Sequence, residues 1–341
     1  MKITTIGLDL AKNIFHVVCC NTQGKIVKKR QLRRSQVLSY FANIPPCLVG
    51  MEACGSSHYW ARELNKLGHH AKLIPAQFVK AYLRGNKNDY NDALAIAEAV
   101  VRPEMRFVAI KDIEQQDVQA LYRMRERCIG TRTALSNQIR GLLAEYGIAI
   151  PKGLKALRER ISDLLADGDN ELSDFFRPLL AQSYLQLQQL DEHVAQYTRQ
   201  LTHQSKQNIH CQRLQTIPGY GPIVSSVFAS VVGNGSAYRK GRDVSASLGI
   251  VPRQHSSGGK DTLLGISKRG DRYLRSLLIH GARAVVSQAG KKDDPLSLWI
   301  QRVEARRGRN RATVAYANKM ARMGWACLHN ETVYQPCVTT R

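Results

Sequence analysis

Apolar and polar positions alternate over three short runs at the start of the chain, KITTIGLDL, IFHVVCC and KIVKKRQL, with the turn residues NTQG between the last two. Period-two alternation in β-branched segments predicts three strands across residues 2–32, joined as an antiparallel meander. A short helical stretch (SQVLSYFANI), a buried strand (CLVGME), a helix (SHYWARELNKLG) and another strand (HAKLIPA) follow. Strands alternating with helices after a meander predict a mixed α/β sheet. A helix opening near Asp89 closes this first domain, residues 1–110.

Strand signals then vanish over residues 111–205. Leu121, Met124, Cys128, Leu135 and Leu142 keep near-heptad spacing, as do Leu187, Leu190, Val194, Tyr197 and Leu201. The pattern predicts two long helices around a helical insert (147–180), forming an antiparallel coiled-coil arm. A third region, 206–330, is mostly helical, and the tail 331–341 has no clear pattern. On the helix from Asp271, Leu274, Leu277, Leu278, Gly281 and Val285 share one face, with Arg272 and Arg283 opposite. The fold class is therefore α/β plus α.

Charge changes the picture. The 341 residues carry 50 Lys+Arg against 27 Asp+Glu, a formal net charge of +23. A polyanionic partner is the usual physical reason, because each neutralised phosphate releases counterions. A basic solvated face or an acidic protein partner also fits this balance. No apolar run is long enough to span a membrane, and the N-terminus enters a strand pattern directly, so a cytoplasmic location is expected. The eight cysteines form no CxxC pair, which argues against zinc and favours buried or incidental thiols.

Four acids stand out against this basic background. In KNDYNDALAI, Asp89 and Asp92 fall within about 60° of each other around a helix, on the arc of Ile96 and Val100, whereas Glu98 faces solvent. An inward carboxylate is costly unless a cation compensates it. Asp9 lies mid-strand in ITTIGLDLAK, opposite Ile6, Leu8 and Leu10, and Glu52 ends the strand CLVGME. Taken singly, Asp9 suits a turn or cap, Asp89 an N-cap after Asn88, and Glu52 a lysine partner. Together, a meander with Asp on its first strand, Glu at the end of a later strand and Asp on a following helix matches a ribonuclease-H-like nuclease layout. In that layout the acids converge on divalent metal ions, Mg2+ or Mn2+, whose hard character favours carboxylate oxygens.

GLDLAK with Asp9, GMEACG with Glu52 and KNDYNDALAI with Asp89 and Asp92 resemble the DEDD-type insertion-sequence transposases, the group that includes the pilin-inversion recombinase and the RNA-guided bridge recombinases. QTIPGYGP, SLGIVPRQHSSGGK and ISKRGDRYLRSLLIHGARA resemble the same family independently, so the likeness spans residues 3–327. It implies a ribonuclease-H-like (RuvC-like) N-terminal domain, a helical coiled-coil arm and a mostly helical C-terminal transposase domain with a nucleophilic serine. By motif position that serine is Ser257, with Ser256 its rival; without the resemblance, HSSGG reads as a polar loop. The resemblance further implies element and target DNA as partners, a noncoding guide RNA, and a homo-oligomer, dimer or tetramer, whose acids and serine meet across subunits.

IPGYGP offers either backbone N–H groups to a phosphate or a plain turn before a core helix. Lys268, Arg269, Arg272 and Arg275, then Arg306, Arg307, Arg309 and Arg311, are the expected nucleic-acid contacts, with a solvated face as the alternative. Lys25, Lys28, Lys29 and Arg30 suit protection of a sheet edge. Two other functions fit the acids: a metal-dependent junction resolvase or nuclease without the serine, and a non-catalytic nucleic-acid scaffold. An actin-like sugar kinase would share the sheet, but the basic excess and the missing Gly-rich phosphate loop argue against it.

Overall fold

A computed structural model of the chain describes residues 2–83 and 88–336. Lys87 of KNDYNDALAI and the end of the tail, with Cys337, lie outside the described residues. The chain divides into two compact units, Met1–Glu114 and Gln115–Arg341.

The first unit is built on a sheet of five strands, β1 (Thr5–Asp9), β2 (Ile14–Cys20), β3 (Ile26–Arg33), β4 (Leu48–Glu52) and β5 (His70–Ile74), in the order β3-β2-β1-β4-β5. The first three form the expected antiparallel meander, while β4 runs parallel to β1 and β5 parallel to β4. Helices α1 (Val37–Ala42) and α2 (Ser57–Lys66) cover one face, where Ile6, Leu8, Phe15, Val17, Val49 and Met51 meet Phe41, Trp60 and Leu64. A short α3 (Ala76–Val79) precedes α4 (Asp89–Val100), which covers the other face.

Paired glycines let α4 seat so closely. Gly7 and Gly50 are register partners on β1 and β4. A Cβ at Gly7 would collide with the Ala93 carbonyl oxygen, and one at Gly50 would lie 2.8 Å from Val100 Cβ. The helix answers with small residues, and Ala93 and Ala97 are buried against the sheet.

The second unit begins with the helices α5 (Ile113–Ala144), α6 (Leu154–Ala166) and α7 (Phe176–Gln207). Arg125 Nε donates to Thr198 Oγ1 at 2.8 Å, and Arg132 Nη1 to Asp191 Oδ1 at 2.9 Å. Both pairs lie one heptad apart on each helix and in opposite order, so α5 and α7 run antiparallel. Arg158 of α6 donates to the second oxygen of Asp191. The stripe on α7 faces inward as expected, with Leu187 and Leu201 fully buried. The stripe expected on α5 does so only in part: Leu121, Cys128 and Leu135 are half-buried, Leu121 and Leu135 packing against the core, whereas Met124 and Leu142 are exposed and Tyr122, Ser136, Ile139 and Leu143 are buried. Arg125 and Arg132 lie between Leu121, Cys128 and Leu135 on this inner face, where their paired polar ends interrupt the apolar period.

The rest of this unit comprises α8 (Ile209–Gln215), α9 (Pro222–Val232), α10 (Gly241–Ser247), the hairpin β6 (Pro252–Ser257) and β7 (Lys260–Ile266), α11 (Arg272–Ala289), α12 (Pro295–Arg307) and α13 (Arg309–His329). Leu214, Phe228, Leu274, Leu278, Tyr316 and Met320 anchor its core. Most of IPGYGP belongs to that core. Ile217 and Tyr220 are buried, Tyr220 donates to the Met320 carbonyl at 3.2 Å, and a Cβ on Gly281 would strike the Gly219 carbonyl oxygen. Among the described residues no helix is long and apolar enough to cross a membrane.

Candidate metal centre

Asp9 closes β1 rather than lying mid-strand, and Glu52 closes the parallel neighbour β4. Leu8 and Met51 are register partners, so the two acids leave the same end of the sheet side by side. Helix α4 brings Asp89 and Asp92 to that end in its first turn. Asn88, not Asp89, caps the helix, accepting from the Tyr90 amide at 2.9 Å. Glu98, expected in solvent, is half-buried.

His16 joins the acids. It is the register partner of Asp9 on β2, and its Nδ1 lies 3.6 Å from Asp89 Oδ2. Ligand atoms of Asp9, His16 and Asp89 all fall within 4.8 Å of one another. The spacing reading missed this histidine. The available signal was the hairpin: a short connection after Asp9 folds IFHVVCC back so that its third residue faces the aspartate.

Burial, then the carboxylates of Asp92 and Asp89, push the Asp9 carboxyl up from its ordinary value to about 6; His16 opposes this and Glu52 adds to it. No described lysine or arginine forms an ion pair with any of the four acids, and the lysine partner considered for Glu52 is not seen. Asp9, Glu52 and Asp92 are half-buried, whereas Asp89, expected to face inward, is 59% exposed. A carboxylate cluster with no described lysine or arginine paired to it fits a hard divalent cation held by oxygen donors.

The serine candidates lie on the β6–β7 hairpin, an ordered element where a loop was expected. Gly258 and Gly259 both take positive φ, 55° and 76°, the geometry of a tight two-residue hairpin turn. Ser256 pairs with Asp261 and Ser257 with Lys260, so the two serines face opposite sides. Ser256 donates to Asp261 Oδ1 at 2.6 Å, and Gln254 Nε2 donates to both. The Ser257 hydroxyl is exposed, with no hydrogen bond to another described residue.

A DEDD, IS110-type transposase profile matches residues 6–148, and one described as transposase of the IS116/IS110/IS902 family matches residues 211–295. The chain belongs to this transposase family. It is 48% identical to a probable family 20 transposase of Pseudomonas aeruginosa, over 98% of this chain and all of that protein. It is 45% identical to the transposase for insertion sequence element IS1111A of Coxiella burnetii, over 98% of this chain and 92% of the relative. A pilin gene-inverting protein of Moraxella lacunata is 24% identical over 96% of both chains. The chain is thus a DNA transposase, of a family that implies divalent metal use.

The basic candidates of the transposase divide. Lys268, Arg269 and Arg272 are exposed, as are Arg306, Arg307, Arg309 and Arg311. Arg275 is not available to a phosphate. It is 8% exposed, and its guanidinium donates to the carbonyls of Leu248 and Arg269 at 2.9 and 2.8 Å. One carbonyl ends α10 and the other lies just before α11, and Arg275 supplies both with a donor.

Proposed function

We propose that this transposase cuts and rejoins the DNA of its own insertion element with two separated sets of groups, the four acids of the first unit and a serine of the second. The observation that carries the proposal is the convergence of Asp9, Glu52, Asp89 and Asp92, on a chain of net charge +23, with no described lysine or arginine paired to them. The strand order, with acids at the ends of β1 and β4 and on α4, supports a ribonuclease-H-like (RuvC-like) reading of residues 1–110. On this reading residues 111–205 are the arm and 206–330 the transposase domain with the serine.

Asp9, Glu52, Asp89 and Asp92 would hold Mg2+ or Mn2+, with His16 steadying Asp89. Such ions would supply Lewis-acid stabilisation of charge on phosphate oxygens and would make a hydroxyl beside them more acidic. Ser257 Oγ attacks the phosphorus, forming a serine–phosphate ester as the bond to the sugar oxygen breaks. The serine gives up its proton and the leaving sugar oxygen gains one. Attack by another sugar hydroxyl reverses the step without ATP. Ser257 fits because its hydroxyl is exposed and uncommitted beside a glycine turn that a phosphate backbone can approach closely. A second reading has its own observation: Ser256 already donates to Asp261, a ready proton acceptor.

The test is to incubate the protein with element DNA, co-expressed element RNA and magnesium, then map any covalent DNA adduct. An adduct at Ser257, lost in Ser257→Ala and Asp89→Asn, is expected. An adduct at Ser256 selects the second reading. Cleavage retained in Ser257→Ala and Ser256→Ala would make the protein a nuclease. A guide RNA and a dimer or tetramer complete the proposal, and mixing Ser257→Ala with Asp9→Ala protein tests assembly in trans, with recovered activity expected.

A further inference from the structure

At the base of the serine hairpin lies an open groove of about 1200 Å³. The hairpin ends at Pro252 and Ile266, the start of α10, Trp299 of α12 and one side of α13 form its walls. Five cations line it, Lys240, Arg242, Arg311, Lys319 and Arg322, and no Asp or Glu does. The floor is apolar, including Ile250, Leu264, Val314 and Met323. A site for phosphate alone needs no such floor, and a small-metabolite pocket is usually smaller and more enclosed.

Two tryptophans decide between the remaining occupants. The Lys319 ammonium sits 4.5 Å from the Trp299 ring centroid, so charge and ring act at one place. The Trp325 ring is fixed by its indole N–H to the Gly235 carbonyl at 3.0 Å and by stacking on His329. Asn310 adds an exposed amide that suits a base edge, whereas Asn318 Nδ2 donates to the Ile250 carbonyl at 3.0 Å and fixes the groove wall. Rigid aromatic walls, an apolar floor and a cationic rim are the means by which proteins hold unstacked bases with their phosphates outside. A duplex keeps its base faces stacked inside and would set phosphates over the apolar floor.

We propose that this groove binds a single-stranded segment of nucleic acid, with bases against Trp299 and Trp325 and phosphates along the rim. The inference rests on the reading of the chain as a recombinase of DNA, but not on the metal site or on the choice of serine. The hairpin tip is five residues from its base, roughly 16 Å at about 3.3 Å per residue. The groove therefore holds the strand a short way from the cut and acts on binding rather than on the chemical step.

The experiment titrates full-length Trp60→Phe protein with thymidine and uridine single strands, a thymidine–adenosine duplex and an acidic amphipathic peptide, reading tryptophan fluorescence. Trp60 is 2% exposed in the first unit, so its removal leaves only the two groove tryptophans. Saturable quenching by a single strand is expected, at least about tenfold tighter than by the duplex. Preference for thymidine or uridine then assigns the strand to element DNA or to RNA. Lys319→Gln with Arg322→Gln should weaken binding and make the slope of log affinity against log salt shallower by about 1.4, for two phosphate contacts on a single strand. Unchanged melting would show that this variant folds. Because binding is read without cleavage, Asp89→Asn should bind like the parent even if the metal reading fails. No quenching, equal quenching by the duplex, or quenching by the peptide alone would overturn the proposal.

Discussion

His16 and Asp9 face each other across the β1–β2 pairing, and the same imidazole reaches Asp89 at 3.6 Å. One histidine thus ties the strand acid to the helix acid. Side chains that orient metal-binding carboxylates commonly contribute 10–100-fold in affinity. His16→Ala is expected to weaken Mn2+ or Mg2+ binding by about tenfold or more, without unfolding the sheet. Calorimetric titration and a melting curve together check this, and His16→Asn should recover part of the loss.

The Asp9 carboxyl, raised by burial and by its acidic neighbours from 3.8 to about 6, makes the centre pH-dependent. In the folded, metal-free protein Asp9 holds its proton more tightly than in the unfolded chain. Stability from this group is therefore present below its ordinary value and is lost as pH rises through about 6. Asp9→Asn should stabilise the metal-free protein at neutral pH by on the order of 1 kcal/mol, after allowance for solvent screening, and by little at pH near 4. Metal affinity of the parent should climb as pH approaches about 6 and level off above it. Melts of both proteins across this range, with and without Mg2+, measure both effects.

Gly7→Ala tests the seat of α4. The added methyl meets the Ala93 carbonyl oxygen, a backbone atom that cannot turn aside. Overpacking of this kind costs about 1–3 kcal/mol or more, and a displaced α4 carries Asp89 and Asp92 with it. Urea unfolding should show the loss, and metal affinity should fall in the same variant. Val18→Ala, which empties space beneath the helix, should reduce stability with a smaller effect on metal binding.

Arg272 and Arg275 should separate by mechanism although they are one turn apart. Arg275→Gln removes a buried donor to two carbonyls and is expected to cost about 1–3 kcal/mol of stability. Arg272→Gln should leave melting unchanged and weaken duplex DNA binding, with a salt slope shallower by about 0.9 if it contacts one phosphate. Chemical denaturation and binding at several salt concentrations distinguish the two.

Much of this protein is written in local pattern. Alternation placed Ile6 and Leu8 on the core face, and all five strands of the sheet follow from runs a few residues long, because a strand's inward face depends only on its own period of two. The same locality set Asp89 and Asp92 on an apolar arc of their own helix and marked the two long helices α5 and α7, whereas Asp9 and Glu52 stood out only in combination with them. What depended on pairing between segments was not readable that way. His16 became a neighbour of Asp9 through hairpin register, and Gly7 and Gly50 became a slot only once β1 and β4 paired beneath α4. Arg275 turned inward to the carbonyl of Leu248 at the end of α10 as well as to that of nearby Arg269, Ser256 found Asp261 across a hairpin, and Arg125 and Arg132 of α5 met Thr198 and Asp191 on another helix. Periodicity states which side of an element is buried, whereas the partner that side meets is decided by register and packing between segments.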